Sequence, residues 1–201
     1  MSDSLKPANN ATSDRVFRAL REARSQLEAI EQARNEQVAI VGMAGRFPGA
    51  DNLDNFWELL VQGRSGIRML SEKELLAAGV SESTFRQPNY VPAYASFTDP
   101  TLFDARFLGY APREAELIDP QHRVFLECAW AALEDAGYDS QQYDGTIGVY
   151  GGAALNSYMV NLHANSAVRD STDPVQAVIS NVMGLMPTRV SYHLDLKGPS
   201  C

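Results

Sequence analysis

From Ser13 to Gln37 the chain runs without glycine or proline, and Val16, Leu20, Ala23, Leu27 and Ile30 recur there at steps of 4, 3, 4 and 3 residues. Such steps keep the apolar side chains on one stripe of a helix and leave the rest of its surface to arginine and glutamate. The pattern predicts an amphipathic helix over 13–36, about six turns long, with Ser13 or Asp14 as its N-cap. Residues 1–12, small and polar with one proline, predict a flexible tail. The stripe can pack in two ways: against the chain's own body, or against the same stripe of a second copy as a short parallel coiled coil. The seam is only a few heptads long, so spacing alone leaves both open.

Beyond this helix the pattern changes period. Val38 to Val41 form an unbroken apolar run ending in glycines, which predicts a strand buried on both faces. LDNFWELLVQG predicts a helix, with Asp51 or Asn52 as cap and Gly63 as stop. Residues 64–118 read as an elaborated connection with a short helix at SEKELLAAG. In DPQHRVFLECAWAALEDAG, Asp119 suits the N-cap, Pro120 the first helical position and Gly137 the left-handed stop. Val124, Cys128 and Ala131 make one apolar row of that helix, flanked by Trp130 and Leu133, which predicts that it is largely buried. TIGVYGG predicts another strand, and helices follow over 156–163, at PVQAVISNVMG and at TRVSYHLDL. Strands separated by helices predict a layered α/β fold.

Composition narrows the class. With 45% hydrophobic and 21% charged residues the chain has the make-up of a soluble globular protein. A formal charge of −8 excludes a nucleic acid or an anionic membrane as the expected partner, because the field repels phosphate. No basic segment leads into an apolar one at the N-terminus, and no apolar run is long enough to span a bilayer. Cys128 and Cys201 stand far apart, outside any CxxC or CxxH pair, so neither a zinc site nor a disulfide framework is signalled, and a reducing, cytoplasmic location is expected.

Read in series, VAIVGMAGRFPGA (38–50), FWELLVQGRSGI (56–67), FDARFLGYAPREAELIDPQHRVFLECAWAALEDAGY (103–138), IGVYGG (147–152) and TRVSYHLDLKGPS (188–200) resemble the β-ketoacyl synthase family, and within it the ketosynthases of modular type I polyketide synthases. The helix over 13–36 is similar to the docking helices that precede such ketosynthases, which moves the balance toward the coiled coil. The resemblance implies a thiolase-like α/β fold, of which this chain is the N-terminal part, truncated before the nucleophile. It implies a homodimer that carries out decarboxylative Claisen condensation. The acyl chain sits on an active-site cysteine, and the malonyl-type extender on the phosphopantetheine of an acyl carrier protein. It also implies an upstream polyketide synthase subunit as the partner of the N-terminal helix, and no metal or directly bound cofactor.

Carried over residue by residue, the resemblance assigns no catalytic residue within 1–201. The nucleophilic cysteine is expected shortly after Cys201, and the catalytic histidines in a C-terminal half outside the chain. Cys201 is read as a core thiol opening a buried strand, and Cys128 as a small core residue. His122 is read as a packing and hydrogen-bonding residue, and neither His163 nor His193 has an acid and cysteine set around it. The glycines at 42, 45 and 49 do not match GxGxxG and are read as a tight turn. Glu114 with Glu116, and Glu134 with Asp135, do not share a helical face and are read as solvated charge. Two functional classes follow. One is the leading part of a condensing enzyme, expected to be inactive alone; the other is a non-catalytic docking and dimerisation module whose working residues are Val16, Leu20, Ala23, Leu27 and Ile30.

Overall fold

The structure, a computed structural model, describes residues 8–34, 38–96 and 98–201, with the side chains of the first helix described over 14–31. The chain divides into two compact units, Met1–Ile40 and Val41–Cys201. In the first, α1 spans Ala8–Arg34. It begins upstream of the expected caps, so Ser13 and Asp14 lie inside it. After Pro7 nothing in ANNAT breaks a helix, so the helix propagates back through the segment expected to be tail; residues 1–7 and 35–37 lie outside the described residues. Every described side chain of α1 is exposed, with Val16 at 53% and Leu20, Leu27 and Ile30 each at 60%. An Arg24–Glu28 pair at 2.8 Å ties one turn to the next on the surface.

The strand expected at Val38–Val41 does not form, and Val38 and Ile40 are 91% and 79% exposed. An apolar run becomes a strand only when a neighbour takes up its backbone groups. Among the described residues no ladder includes 38–41.

In the second unit the helices sit where their termini are marked. α2, Leu53–Val61, starts at Asn52, whose side chain accepts from the Asn55 N–H, and the chain leaves it through Gly63 at φ +61. β1, Arg68–Met69, precedes α3, Glu72–Ala77, which carries a reciprocal Ser71–Glu74 capping box. After α4, Glu82–Phe85, the chain returns as β2, Ala93–Tyr94, antiparallel to β1 with Arg68 opposite Tyr94. This hairpin-like pair lies within the segment read as irregular, since two-residue strands leave no alternation to detect.

α5, Pro112–Leu117, leads into α6, Pro120–Ala136, which is capped by Asp119 and stopped by Gly137 at φ +71 as expected. Then come α7, Tyr158–Ala164, α8, Ser166–Arg169, and α9, Pro174–Ile179; a 3-10 turn at Met183–Leu185 runs into α10, Met186–His193. The core gathers Leu108, Tyr110, Ala115, Ile118, Leu126, Val149, Val190 and Leu194, with Phe125, Ala129 and Leu133 packed beside them. The face α6 buries is therefore centred on His122 and Leu126. The Val124, Cys128 and Ala131 row is half-buried, and Trp130 is 37% exposed, its ring edge-on to Phe107 at 4.9 Å. Both faces of α6 are rich in apolar residues, so spacing alone did not say which one meets α10.

The TIGVYGG segment pairs in parallel with residues 198–201. Gly198 N–H donates to Ile147 O at 2.9 Å, Val149 N–H to Pro199 O at 2.8 Å, and Cys201 N–H to Val149 O and Gly151 N–H to Cys201 O at 2.9 Å each. Val149 and Ser200 are the bridged residues.

Candidate functional site

α6 and α10 share one core cluster with the 147–151 ladder through Leu126, Val149 and Val190, and the N-terminal turn of α6 holds the loop that follows the ladder. The Asp119 side chain accepts from Gln121 N–H at 2.8 Å, which fixes the first turn of α6 and aims Gln121 at the loop. The Gln121 carboxamide accepts from Ala154 N–H at 2.8 Å and donates to Ala154 O at 3.4 Å. Behind it lies a buried amide network. Asn181, 3% exposed, donates to Leu117 O at 2.8 Å and Ala177 O at 2.7 Å, and Asn156 donates to Asn181 O at 2.8 Å. Asparagine at 181 ties α5, α9 and the 152–157 loop together, because a buried amide satisfied on all sides holds one geometry. Nothing in the sequence marked either asparagine; only the contacts of the fold do.

The histidines occupy three different settings. His122 is 1% exposed, and neither ring nitrogen finds a hydrogen-bond partner among the described residues, so of its expected roles only packing is realised. Burial holds its pKa below the ordinary value of 6.5; Arg189 pushes the same way and Asp119 opposes them. His193 packs its ring on Tyr110 at 4.3 Å and is also depressed, by burial first and then by Arg189. His163 lies on the surface of α7 with Nδ1 2.9 Å from Met159 O.

A buried imidazole held neutral makes stability depend on pH. Above its unfolded value, near 6.5, neither state binds the proton and nothing is lost. As pH falls through that value the unfolded chain takes up the proton first, so stability falls, with a slope approaching about 1.4 kcal/mol per pH unit for one proton. Urea unfolding between pH 7.5 and 5 is expected to show this loss, and His122→Phe to lessen it, leaving the part that His193 contributes. An equal slope in wild type and variant would assign the effect elsewhere.

Cys128 is half-buried and burial pushes its thiol above the ordinary value, as expected of a packing residue rather than a thiolate. Cys201, the last of the described residues, has an exposed side chain, and its backbone is taken up by the ladder. Among the described residues no hydrogen bond joins a histidine to either cysteine, and no group of three or more His, Cys, Asp or Glu is placed to hold a metal.

The glycine-rich turn has a packing role. A Cβ on Gly42 would lie 2.5 Å from Ala132 O, so the chain crosses α6 in direct backbone contact, and Gly49 turns it at φ +76. Asp135, read as solvated charge, accepts from Met43 N–H at 2.8 Å and fixes this crossing. Arg46 pairs with Glu127 at 2.8 Å beside it, at the wall of a cavity of about 410 Å³ also lined by Asp51 and Cys128. Glu116 pairs with Arg113 on the surface.

With this arrangement in view, the relatives are informative. The model of the β-ketoacyl synthase N-terminal domain matches residues 35–201. The chain is 43% identical over 172 residues to a phenolphthiocerol/phthiocerol polyketide synthase polypeptide of Mycobacterium tuberculosis, covering 81% of this chain and 11% of that protein. It is 40% identical over 167 residues to the polyketide synthase PksN of Bacillus subtilis, covering 83% of this chain and 3% of that one. Ketosynthase twelve from the bacillaene polyketide synthase of Bacillus amyloliquefaciens superposes with a TM-score of 0.69 at 41% identity, over 81% of this chain and 28% of that one.

The chain belongs to the β-ketoacyl synthase family, over the span of its N-terminal domain. More narrowly, it is an N-terminal ketosynthase region of the modular polyketide synthase kind, with the thiolase-like fold of its structural neighbours. It spans at most 11% of the length of these curated relatives.

Proposed function

We propose that the chain forms the leading part of a condensing enzyme in a polyketide assembly line. The observation that carries this reading is the family match over residues 35–201, within which 198–201 pair parallel to 147–151. In this reading the strand continues past Cys201 to a nucleophilic cysteine. Its thiolate attacks an acyl thioester and releases the donor's thiol. A malonyl-type extender on the phosphopantetheine of an acyl carrier protein then loses CO₂, and the resulting enolate carbon attacks the acyl group, expelling the cysteine thiolate. The histidines that assist belong to the C-terminal half of the enzyme, and residues 1–201 alone are inactive. Among the described residues no helix is long and apolar enough to cross a membrane, and a cytoplasmic homodimer fits this chemistry.

The exposed stripe of α1 supports a docking role in the same protein: Val16, Leu20, Ala23, Leu27 and Ile30 pair with a second copy and receive an upstream polyketide synthase polypeptide. That stripe is also what favours the non-catalytic docking module as a second reading. Incubating the full-length protein with an acyl thioester, blocking free thiols with iodoacetamide and mapping peptides by mass spectrometry separates the two. Acylation is expected on a cysteine after residue 201. Acylation of Cys201 or Cys128 overturns the assignment, and a protein that associates but is never acylated is the docking module.

A further inference from the structure

The ladder that leads toward this nucleophile has a guard on its register. Gly198, Pro199 and Cys201 supply every backbone group bonded to 147–151, whereas the amide and carbonyl of Ser200 take no part in those four bonds. Pro199 has no N–H to add another. A slip of one residue along a parallel pairing turns each side chain to the opposite face. Two features oppose a slip. A Cβ on Gly198 would sit 2.3 Å from Ile147 O, so only glycine fits that crossing. And the Ser200 hydroxyl lies 2.7 Å from the Ser191 hydroxyl on α10, both residues half-buried. α10 is itself anchored by Met186, Pro187 and Val190, exposed by 2% or less in the two cases of Met186 and Val190.

We propose that Ser191 and Ser200 form a register latch between α10 and the 198–201 strand, and so act as positioning residues for the reactive cysteine that follows. A slipped strand would present Pro199 or Cys201 to Ser191 and leave its hydroxyl without this partner, so the bond exists in one register only. The direction in which the chain leaves Cys201 is set by that register. Displacement of a reacting group by even about 1 Å is costly to a chemical step. The catalytic part of this inference rests on the condensing-enzyme reading; the latch itself does not.

The test uses the full-length ketosynthase carrying Ser191→Ala, Ser200→Ala, both together, and Ser200→Thr. Each single alanine strands one half-buried hydroxyl and is expected to lower kcat for acyl transfer about tenfold while leaving KM within about twofold. Amide exchange at Val149, Gly151 and Cys201 is expected to quicken in the same variants. The double alanine variant removes both partners and is expected to be no worse than either single one, and threonine at 200, which keeps the hydroxyl, to restore most of the rate. Losses that multiply in the double variant, or unchanged exchange at the three amides, overturn the latch. If wild type forms no acyl-enzyme, the condensing reading fails, and the exchange measurements still decide the latch.

Discussion

Leu126→Ala is expected to lower the unfolding free energy of the ketosynthase region by about 3 kcal/mol. Leu126 is 1% exposed at the centre of the buried face of α6, in one cluster with Ile118, Val149, Val190 and Leu194. The truncation removes transfer free energy and also leaves a cavity, since α5, α6 and α10 are held by separate constraints and cannot close over the gap. Trp130→Ala, a larger deletion on the same helix, is expected to cost less than half as much, because that ring is 37% exposed and meets chiefly Phe107. Guanidinium unfolding of both variants checks the order. A greater loss at Trp130 would mean that α6 packs by the face that spacing first indicated.

The second expected result is nearly all-or-none. With Ala23→Cys on the seam of α1, mild oxidation is expected to join two copies of the chain almost completely, whereas Arg21→Cys, off the seam, gives little. Facing seam residues of a parallel coiled coil meet their own counterparts at separations a disulfide can bridge. Leu20→Glu with Leu27→Glu is expected to abolish the Ala23→Cys cross-link, because closing the seam would bury like charges without partners. Non-reducing electrophoresis with the parent chain, which keeps Cys128 and Cys201, provides the control. Equal cross-linking from positions 21 and 23 would show that α1 meets other copies only by collision.

What the sequence revealed followed the range of the interactions involved. Asn52, the Ser71–Glu74 box and the Asp119–Pro120…Gly137 frame are local chemistry, complete within a few residues, and the helices they bound were readable in advance. Ladders are different, since half of each lies elsewhere in the chain. The Val38–Val41 run looked like a strand and is not paired, while the 147–151 segment is paired only through a return from α10. The buried face of α6 was misjudged for the same reason: the helix is apolar on more than one side, and only the position of α10 decides between them. Asn156 and Asn181 gave no signal at all, as asparagine in a helical stretch normally reads as surface. The α1 stripe was legible from its own spacing, but that spacing leaves open what it packs on, and in the structure every described side chain of the helix is exposed, stripe and polar face alike.

The Gln121 side chain has a consequence for substitution. Bonded to Ala154 through both its oxygen and its nitrogen, it behaves toward the loop as one extra peptide group, a counterfeit rung where no strand is present. At neutral pH a carboxamide carries a donor and an acceptor side by side at that reach, whereas a carboxyl does so only when protonated. An ionised glutamate would set its charge against the Ala154 carbonyl, and a lysine would strand the Ala154 N–H. Gln121→Glu, conservative by size and shape, would therefore make the attachment of this loop respond to acidity, closing it when the carboxyl is protonated and releasing it when it is not.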